Sequence, residues 1–429
     1  MQMQTVHRVV VIGGGFGGLA AVTELHRENV QITLIDKRNF HLFQPLLYQV
    51  ATGSLSPANI ATPLRAFLKE QHNARVILGD VISIDPLARR VHLRDGDDIP
   101  YDSVIVAAGM RNNYFGHDEW EAQAPGLKTL EDATTIRTQV LSAFEHAERE
   151  TDPEKIKAWL TFIVTGGGAT GVELAGALAE IAHYTLRGNF RSIDPAQARI
   201  ILVEGLDRLL TPYPEKLSAY ARHALEKMGV EVRLNTLITD VDHDGVTVKS
   251  GDQCERIAAK TVLWGAGVRA IELGKTIADA TGAQIDKAGR VIVTGDCSIA
   301  NYPEIFIVGD LAHFETDGKS LPGVAQVAKQ QGNYVASVIR ARVRSMPPPS
   351  SFVYRDLGNM ATIGRAAAVA DLHTIRFTGL LGWLAWLFVH LMQLVTFQNR
   401  ALVLTQWAHS YVTRNRAARL ITYEGEREV

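Results

Sequence analysis

Residues 8–18 read Arg-Val-Val-Val-Ile-Gly-Gly-Gly-Phe-Gly-Gly, a short β-branched run that stops at a cluster of glycines. The run Val9 to Ile12 is typical of a buried parallel strand. Apolar residues then recur at helical spacing, and Gln31 to Ile35 forms a second apolar run that ends at Asp36. This order of strand, glycine turn, helix, strand and carboxylate predicts a βαβ unit that binds a dinucleotide.

The same pattern returns in the middle of the chain. Leu160 to Val164 precedes the glycine cluster Gly166 to Gly171, and a helix with regularly spaced apolar residues follows. Arg199 to Val203 is the next apolar run, and it ends at Glu204. The distance from the glycines to Glu204 exceeds the usual ~20 residues, which we attribute to an extended helix and loop around Tyr184 to Ala198. The repeat predicts a second dinucleotide site.

Both glycine clusters match G-x-G-x-x-G. The first two glycines let the backbone turn and approach a pyrophosphate, and the third lets the helix pack on the strand. The helix N-terminus adds partial positive charge. The motif residues are Gly13, Gly15 and Gly18 in the first cluster and Gly166, Gly168 and Gly171 in the second. Two matches in the right structural context are a stronger signal than one.

Asp36 and Glu204 each end a strand at a place where a carboxylate accepts hydrogen bonds from an adenosine ribose. A carboxylate there also repels a 2′-phosphate, so we expect NADH rather than NADPH at Glu204. The alternative is that Glu204 is only a solvated strand end.

Other strand-like runs end in small or glycine-containing turns, where doubly wound sheets hold ligands. One of them ends at Gly309 and Asp310, whose carboxylate suits the ribityl hydroxyls of a flavin. The helix predicted from Ala325 has its N-terminus free to face the flavin ring, where negative charge gathers on reduction. FAD bound by both ends of the chain, with an inserted NADH domain, is the simplest arrangement. The other residues expected to bind a cofactor are Phe16, Lys37, Ala108, Gly109, Gly267 and Gln326.

The predicted fold class is α/β, with two Rossmann-like dinucleotide-binding domains, for FAD and NADH, and a C-terminal amphipathic helical region that anchors the chain to a membrane. We expect an FAD-binding domain from residues 1–115 and 286–346, and an NADH-binding domain from 116–285. A membrane-associated region is expected at 352–429. It begins after Pro347-Pro348-Pro349-Ser350-Ser351, which cannot continue a helix and forms a linker.

Residues 379–397 are apolar apart from His390 and Gln393, and arginines follow. The length is close to the ~20 residues that span a bilayer. Three arrangements stay open: a helix in the membrane interface, a spanning helix, and a buried helix of the core or of a dimer. Tryptophans prefer the headgroup boundary and arginines prefer anionic lipid, which favours the interfacial helix.

The composition argues against nucleic-acid binding and against dithiol redox chemistry. Lys plus Arg number 44 and Asp plus Glu 46, so a net charge of −2 gives no basic excess for binding nucleic acid. Cys254 and Cys297 are far apart, so neither a disulfide framework nor a dithiol redox centre is expected, and we predict no metal site. The N-terminus runs into the strand at Val9 rather than through a signal peptide, so the protein is expected on the cytoplasmic side.

The chain resembles the type II NADH dehydrogenases, single-subunit NADH:quinone oxidoreductases of the two-dinucleotide-binding-domain flavoprotein superfamily. The similarity covers essentially the whole chain. It is carried by residues 13–18, 43–51 (FQPLLYQVA), 166–176, 264–268 (WGAGV), 307–310 (IVGD) and 325–331 (AQVAKQQ). The resemblance implies a peripheral enzyme on the cytoplasmic face of the cell membrane that passes electrons from NADH through FAD to a membrane quinone, without pumping protons.

The segment Ala325-Gln326-x-Ala-x-Gln330 is similar to the family's quinone-site motif. Glutamines at i and i+4 share one helix face, so the resemblance implies that Gln326 and Gln330 hydrogen-bond quinone carbonyls. Glu173 matches a family carboxylate near the flavin and nicotinamide, which could relay protons or position the nicotinamide. The alternative is a carboxylate that caps its helix. Asp36 stands where many members carry Glu, which leaves the geometry of the ribose contact open.

Two other functions remain open at this point. Sulfide:quinone oxidoreductase has a related fold, but it needs cysteines close to the flavin, and neither Cys254 nor Cys297 lies in such a motif. The second is a membrane-bound NADH sensor with slow turnover, because binding motifs do not report rates. The amphipathic C-terminus is also compatible with a homodimer.

Overall fold

The structure is a computed structural model, and it describes residues 6–422. The first five residues, where the N-terminus was expected to lack a signal peptide, lie outside the described residues. The described chain divides into two compact units. Unit 1 contains the chain up to Leu42, Ala61–Arg111 and Val268–Asp356, and unit 2 contains Phe43–Ile60, Asn112–Gly267 and the chain from Leu357 onward.

The helices and strands are as follows. The helices are α1 (Phe16–Glu24), α2 (Leu47–Ala51), α3 (Pro57–Ile60), α4 (Leu64–Phe67), α5 (Leu130–Arg149), α6 (Pro153–Trp159), α7 (Ala169–Glu180), α8 (Glu215–Lys227), α9 (Glu272–Thr281), α10 (Ala325–Val343), α11 (Gly379–Gln393) and α12 (Phe397–Thr413). The strands are β1 (His7–Ile12), β2 (Val30–Asp36), β3 (Phe40–Leu42), β4 (Ala61–Pro63), β5 (Ala74–Leu78), β6 (Val81–Asp85), β7 (Arg90–Leu93), β8 (Asp98–Pro100), β9 (Ser103–Val106), β10 (Met110–Asn112), β11 (Thr161–Thr165), β12 (Arg199–Val203), β13 (Val230–Arg233), β14 (Thr236–Asp242), β15 (Gly245–Ser250), β16 (Gln253–Ala258), β17 (Thr261–Trp264), β18 (Val268–Ala270), β19 (Val291–Ile292), β20 (Ser298–Ile299), β21 (Tyr302–Ile307), β22 (Ala312–His313), β23 (Glu315–Thr316), β24 (Lys319–Ser320), β25 (Asn359–Gly364), β26 (Ala367–Asp371) and β27 (Arg376–Thr378).

Unit 1 is built on a six-stranded sheet in the order β20-β21-β9-β1-β2-β5. Strand β1 pairs in parallel with β2 and β9, and β9 pairs in parallel with β21, so the carboxyl ends of these strands meet at one edge. Helices α1 and α10 pack against each other where Gly17 faces Gly332, because a Cβ on Gly332 would overlap the Gly17 carbonyl. The predicted first βαβ unit and the helix start at Ala325 are confirmed.

Unit 2 contains a four-stranded parallel sheet in the order β13-β12-β11-β17, which confirms the predicted second βαβ unit. Helix α7 follows β11 and continues into one π-helical turn, Ile181–Thr185, before an irregular segment that reaches β12. A separate antiparallel sheet of β25, β26 and β27 packs on α7, where a Cβ on Gly176 would overlap the Ile363 carbonyl.

The compact units divide the chain differently from the predicted domain bounds. Residues 268–285 belong to unit 1, because Leu273 and Ile277 of α9 enter the apolar core beneath its large sheet. Residues 43–60 belong to unit 2, because α2 packs on α5 and α7. The chain from Leu357 onward is grouped with unit 2, since β26 packs on α8 and α11.

The apolar segment 379–397 does not form one helix. Helix α11 ends at Gln393, Leu394 is extended with ψ 135°, and the Thr396 hydroxyl accepts the Asn399 amide at 3.1 Å to start α12. Within residues 6–422, no helix has the length and apolar character needed to cross a membrane.

Candidate functional site

The first glycine loop lies between β1 and α1 in unit 1. Gly13 has φ 101°, and a Cβ there would overlap the Ala107 carbonyl. A Cβ on Gly18 would overlap the Gly13 carbonyl, so glycine is needed for α1 to approach β1. A Cβ on Gly15 would meet no atom within 4 Å. Open space therefore lies over the loop, at a helix N-terminus that no side chain caps.

Asp36 holds this loop in place. Its Oδ2 accepts the Gly14 amide at 2.6 Å, and its Oδ1 accepts the Arg38 amide at 2.7 Å. On the other side of the loop, His41 Nδ1 lies 2.9 Å from the Gly14 carbonyl oxygen, and the Phe16 ring meets the His41 ring edge-on at 5.1 Å. A carboxylate oxygen has two lone pairs, so Asp36 can still accept hydrogen bonds from a ribose. No motif in the sequence points to His41.

The second glycine loop, in unit 2, repeats this geometry. Gly166 has φ 97°, and a Cβ on Gly171 would overlap its carbonyl. A Cβ on Gly168 would meet no atom within 4 Å, and no side chain caps α7. The loop thus has the same steric requirements and the same open space as the first.

Glu204 holds the second loop in place, as Asp36 holds the first. Its Oε2 accepts the Gly167 amide, and its Oε1 accepts the Leu206 amide at 2.7 Å. Thr165, at the end of β11, has a buried hydroxyl without a hydrogen-bond partner in the described part of the chain. Glu204 is therefore structurally engaged, and it is more than a solvated strand end.

The end of β21 and the start of α10 form the rest of the site in unit 1. Gly309 has φ 71° and donates its amide to Gln331 Oε1 at 2.7 Å. Gln331 is buried, and its role was not predicted because no local pattern distinguishes it from the neighbouring Gln330. Asp310 is half-buried in the next turn, and α10 begins at Ala325 without a side-chain cap. The positive end of the α10 dipole therefore lies at Ala325.

The remaining predicted cofactor residues differ in their surroundings. Ala108 and Gly109 follow β9 at the edge where β1 also ends, and a Cβ on Gly109 would meet no atom within 4 Å. Gly267 lies in unit 2, has φ 71°, and would carry a Cβ only 2.6 Å from the Phe115 ring. Lys37 is exposed.

The two glutamines of the family motif lie one turn apart on α10, but they differ in their contacts. The Gln330 carboxamide is engaged on both sides, because Nε2 donates to the Arg355 carbonyl at 2.9 Å and Oε1 accepts the Arg355 amide at 3.0 Å. This pairing ties Arg355 to α10 and occupies both polar groups of the Gln330 side chain. Gln326 is half-buried.

A cavity of about 320 Å³ lies in unit 2, walled by α2, α7, β25, α11 and α12. Glu173 on α7 lines it, and burial raises the pKa of this carboxyl to about 8, opposed in part by a hydrogen bond from the Thr362 amide. A carboxyl with that pKa is mostly protonated at neutral pH. Glu173 thus contributes a neutral acid to this cavity, and capping of α7 is left to the backbone of Gly168.

Other polar side chains of the cavity come from distant segments. Tyr48 and Gln49 of α2 line the cavity together with Trp386 of α11. Both α2 residues belong to the FQPLLYQVA segment, residues 43–51, and the sequence alone predicted no role for their side chains. Glu180 at the end of α7 pairs with Arg416 at 2.7 Å.

Helices α11 and α12 expose many large apolar side chains. They are Leu380, Leu381, Leu384, Phe388, Val389, Met392, Phe397, Leu402, Leu404 and Val412. Two arginines lie at the rim of the cavity beside these helices. The Arg365 guanidinium lies over the Tyr411 ring at 4.0 Å, and that of Arg414 over the Tyr184 ring at 4.7 Å. Within residues 6–422, neither forms an ion pair with a carboxylate.

Two parallel sheets, each with a glycine loop fixed by a carboxylate, define a protein of the two-dinucleotide oxidoreductase class. A family model described as pyridine nucleotide-disulphide oxidoreductase matches residues 7–332, and a model described as NDH2 C-terminal domain matches residues 357–415. The chain belongs to the type II NADH:quinone oxidoreductase family, as its similarity to characterised relatives shows.

Two of these relatives are from Mycobacterium tuberculosis. Type II NADH:quinone oxidoreductase Ndh is 45% identical over 422 residues, which cover 97% of this chain and 90% of the relative. NdhA is 47% identical over 424 residues, which cover 97% and 89%. The structure of NDH2 from Plasmodium falciparum in complex with NADH has a TM-score of 0.87 at 20% identity, and the match covers 95% of this chain and 98% of that one. This structural likeness concerns the fold.

Proposed function

We propose that this chain oxidises NADH and reduces a membrane quinone, with FAD held by the glycine loop of unit 1 and NADH by that of unit 2. The proposal rests on one contact that occurs in both units, a carboxylate that accepts an amide of the glycine loop. Asp36 on Gly14 and Glu204 on Gly167 each fix a G-x-G-x-x-G loop beneath an uncapped helix N-terminus. Relatives at 45% and 47% identity carry the name of this activity.

The residues of unit 1 fit FAD. The open space over Gly15 accommodates a pyrophosphate, and Asp36 keeps lone pairs for the adenosine ribose. Gln331 fixes the Gly309 turn, so that Asp310 is presented for ribityl hydroxyls, and the N-terminal end of the α10 dipole at Ala325 favours negative charge. When bound, FAD accepts a hydride from NADH and passes two electrons to the quinone.

The residues of unit 2 fit NADH and a quinone. Glu204 presents a negative charge where NADPH would carry its 2′-phosphate, so NADH is the expected donor. Glu173 is a protonated carboxyl in a cavity with apolar walls, which suits a reaction that takes up protons with the electrons. Gln326 stays a candidate quinone contact, whereas the Gln330 amide would first have to leave Arg355.

Surface chemistry supports binding to the surface of a membrane, and we infer that this surface is the cytoplasmic face. The exposed apolar side chains of α11 and α12 adjoin Arg365 and Arg414, whose charges complement anionic headgroups. The same apolar face would be covered in a homodimer that forms through these helices. A bilayer is the occupant that uses both the apolar face and the unpaired arginines.

Anaerobic stopped-flow mixing tests the activity. NADH should bleach the flavin absorbance rapidly, and a quinone should restore it. A stable charge-transfer complex without reoxidation would instead identify a sensor. Bleaching by sulfide would point to a sulfide:quinone oxidoreductase. We expect none, because Cys254 is exposed on a hairpin and Cys297 is buried in the core of unit 1, where burial raises the pKa of its thiol.

Flotation with vesicles of anionic phospholipid tests the membrane surface. Phe388→Asp should abolish flotation, because it places a charge on the apolar face of α11. Leu87→Asp is the matched control, since Leu87 is a highly exposed leucine of unit 1. Flotation that survives Phe388→Asp, together with a loss of dimer in light scattering, would assign this face to a second copy.

A further inference from the structure

The cavity of unit 2 contains an indole that the protein leaves unsatisfied. Trp386 of α11 lines the cavity and is 1% exposed, and its Nε1 is buried without a hydrogen-bond partner in the described residues. An indole nitrogen is a donor only, so it needs an acceptor. Because a buried unpaired donor costs free energy, Trp386 indicates an acceptor that arrives with a ligand.

A hydrogen-bond chain sets the direction of a second donor. Trp407 Nε1 of α12 donates to Gln49 Oε1 at 2.7 Å. Since the indole can only donate, the Gln49 oxygen must face Trp407, and the amide nitrogen therefore faces Tyr48. That nitrogen donates to the Tyr48 hydroxyl oxygen at 2.8 Å. The Tyr48 proton thus points elsewhere, and within residues 6–422 no protein acceptor receives it.

The Tyr48 hydroxyl stays protonated across the physiological range. Burial raises its pKa well above the usual value, and Glu173 and Glu180 of α7 raise it further, whereas Gln49 and Arg416 oppose the shift. A protonated phenol remains a donor. The Tyr48 ring also meets the Trp386 ring at 6.4 Å, so the two rings lie side by side in the lining of the cavity.

We propose that Tyr48 and Trp386 are the two hydrogen-bond donors to one carbonyl of the bound quinone, and that Gln49 and Trp407 are positioning residues that aim the Tyr48 hydroxyl. A carbonyl oxygen has two lone pairs, so it accepts both donors. Neutral donors suit a neutral quinone and stabilise the negative charge that develops on its oxygen during reduction. This assignment rests on the proposed NADH:quinone activity and names the residues that recognise the acceptor.

The arrangement also links the membrane surface to the cavity. Trp407 lies on α12, whose outer side carries the exposed residues Leu402 and Leu404. If α12 shifts, Gln49 loses its partner and its amide can rotate, so the Tyr48 proton is no longer aimed. The quinone contact therefore depends on α12 being docked in place.

Binding of a redox-inactive quinone analogue to the flavin-loaded full chain in vesicles tests the donors directly. Tyr48→Phe and Trp386→Phe each remove one donor and keep an aromatic ring, and each should weaken binding about tenfold. KM for the quinone should rise similarly, and KM for NADH should change less. Tyr101→Phe, a buried tyrosine of unit 1, is the matched control and should leave analogue binding unchanged.

A double-mutant cycle tests the positioning role. Trp407→Phe should weaken analogue binding about threefold, and Tyr48→Phe with Trp407→Phe should bind no more weakly than Tyr48→Phe alone, because Trp407 acts through Tyr48. Additive losses, or wild-type binding in both single donor variants, would overturn the assignment. If a donor variant loses its flavin, a second double-mutant cycle replaces the first. This second cycle combines Trp407→Phe with Gln49→Leu. A wild-type chain that neither binds the analogue nor reduces quinone would refute the proposed function itself.

Discussion

Arg416 donates a hydrogen bond to Glu180 across 2.7 Å, although 236 positions separate the two residues. Arg416 is 7% exposed, and it also donates to the Thr52 carbonyl at 3.1 Å. Glu180 accepts the Arg365 amide with its other oxygen. The pair therefore fastens the segment after α12 to the end of α7, beside the cavity.

Removing one partner of this pair should destabilise unit 2. Arg416→Met leaves the Glu180 carboxylate poorly solvated and without its guanidinium partner, so we expect a loss of about 3 kcal/mol in the free energy of unfolding. Arg416→Met combined with Glu180→Gln should recover most of it. Arg222→Met, which breaks the exposed Arg222–Glu226 pair, should cost less than about 1 kcal/mol. Chemical unfolding measures all three, and equal losses for Arg416→Met and Arg222→Met would contradict the buried pair.

Replacing Glu204 should change the choice of nicotinamide nucleotide. Glu204→Gln keeps a side-chain oxygen for the loop amides but removes the charge, so KM for NADH should rise about tenfold. The ratio of kcat/KM for NADPH to that for NADH should rise as well, because the repulsion of the 2′-phosphate is gone. Asp36→Asn is the control, and it should leave this ratio unchanged. An unchanged ratio in Glu204→Gln would place the ribose elsewhere.

Alanine at the third glycine of each loop should show which loop binds FAD and which binds NADH. A Cβ on Gly18 or Gly171 would overlap the carbonyl of Gly13 or Gly166, so each substitution should push its helix from its strand. We expect Gly18→Ala to lose most of its flavin absorbance. Gly171→Ala should keep its flavin and show a KM for NADH that is at least about tenfold higher. The reverse result would exchange the assignments of the two loops.

Glu173 should make stability depend on pH. Its pKa is about 8 in the folded protein because of burial, above the usual value of about 4.3 in the unfolded chain. Between these values the folded state holds one more proton, so the free energy of unfolding falls as pH rises. Glu173→Gln removes this dependence. The difference in the free energy of unfolding between Glu173→Gln and the wild type should therefore change in favour of the variant by at most about 1.4 kcal/mol per pH unit from pH 5 to 8. Thermal unfolding curves that stay parallel over this range would contradict a raised pKa.

Much of the fold could be predicted because its signals are local. The strands at Val9 and Arg199 and the helix start at Ala325 all follow from short stretches of chain. The domain bounds stay a prediction, and the compact units place α2 and α9 differently because neither helix carries a local sign of which core it enters. The break after Gln393 was also missed, since Leu394 and Thr396 continue a run of apolar and β-branched residues.

Sequence alone determined the two dinucleotide loops and their carboxylates, because a G-x-G-x-x-G turn and the next strand end are joined by one helix and must meet in any βαβ unit. Only the tertiary structure decided how Tyr48, Glu173 and Trp386 share a cavity and why the Gln330 amide is taken by Arg355. Those contacts join segments that are far apart in the chain. Their partners are chosen by packing and hydrogen-bond satisfaction, which no local pattern encodes.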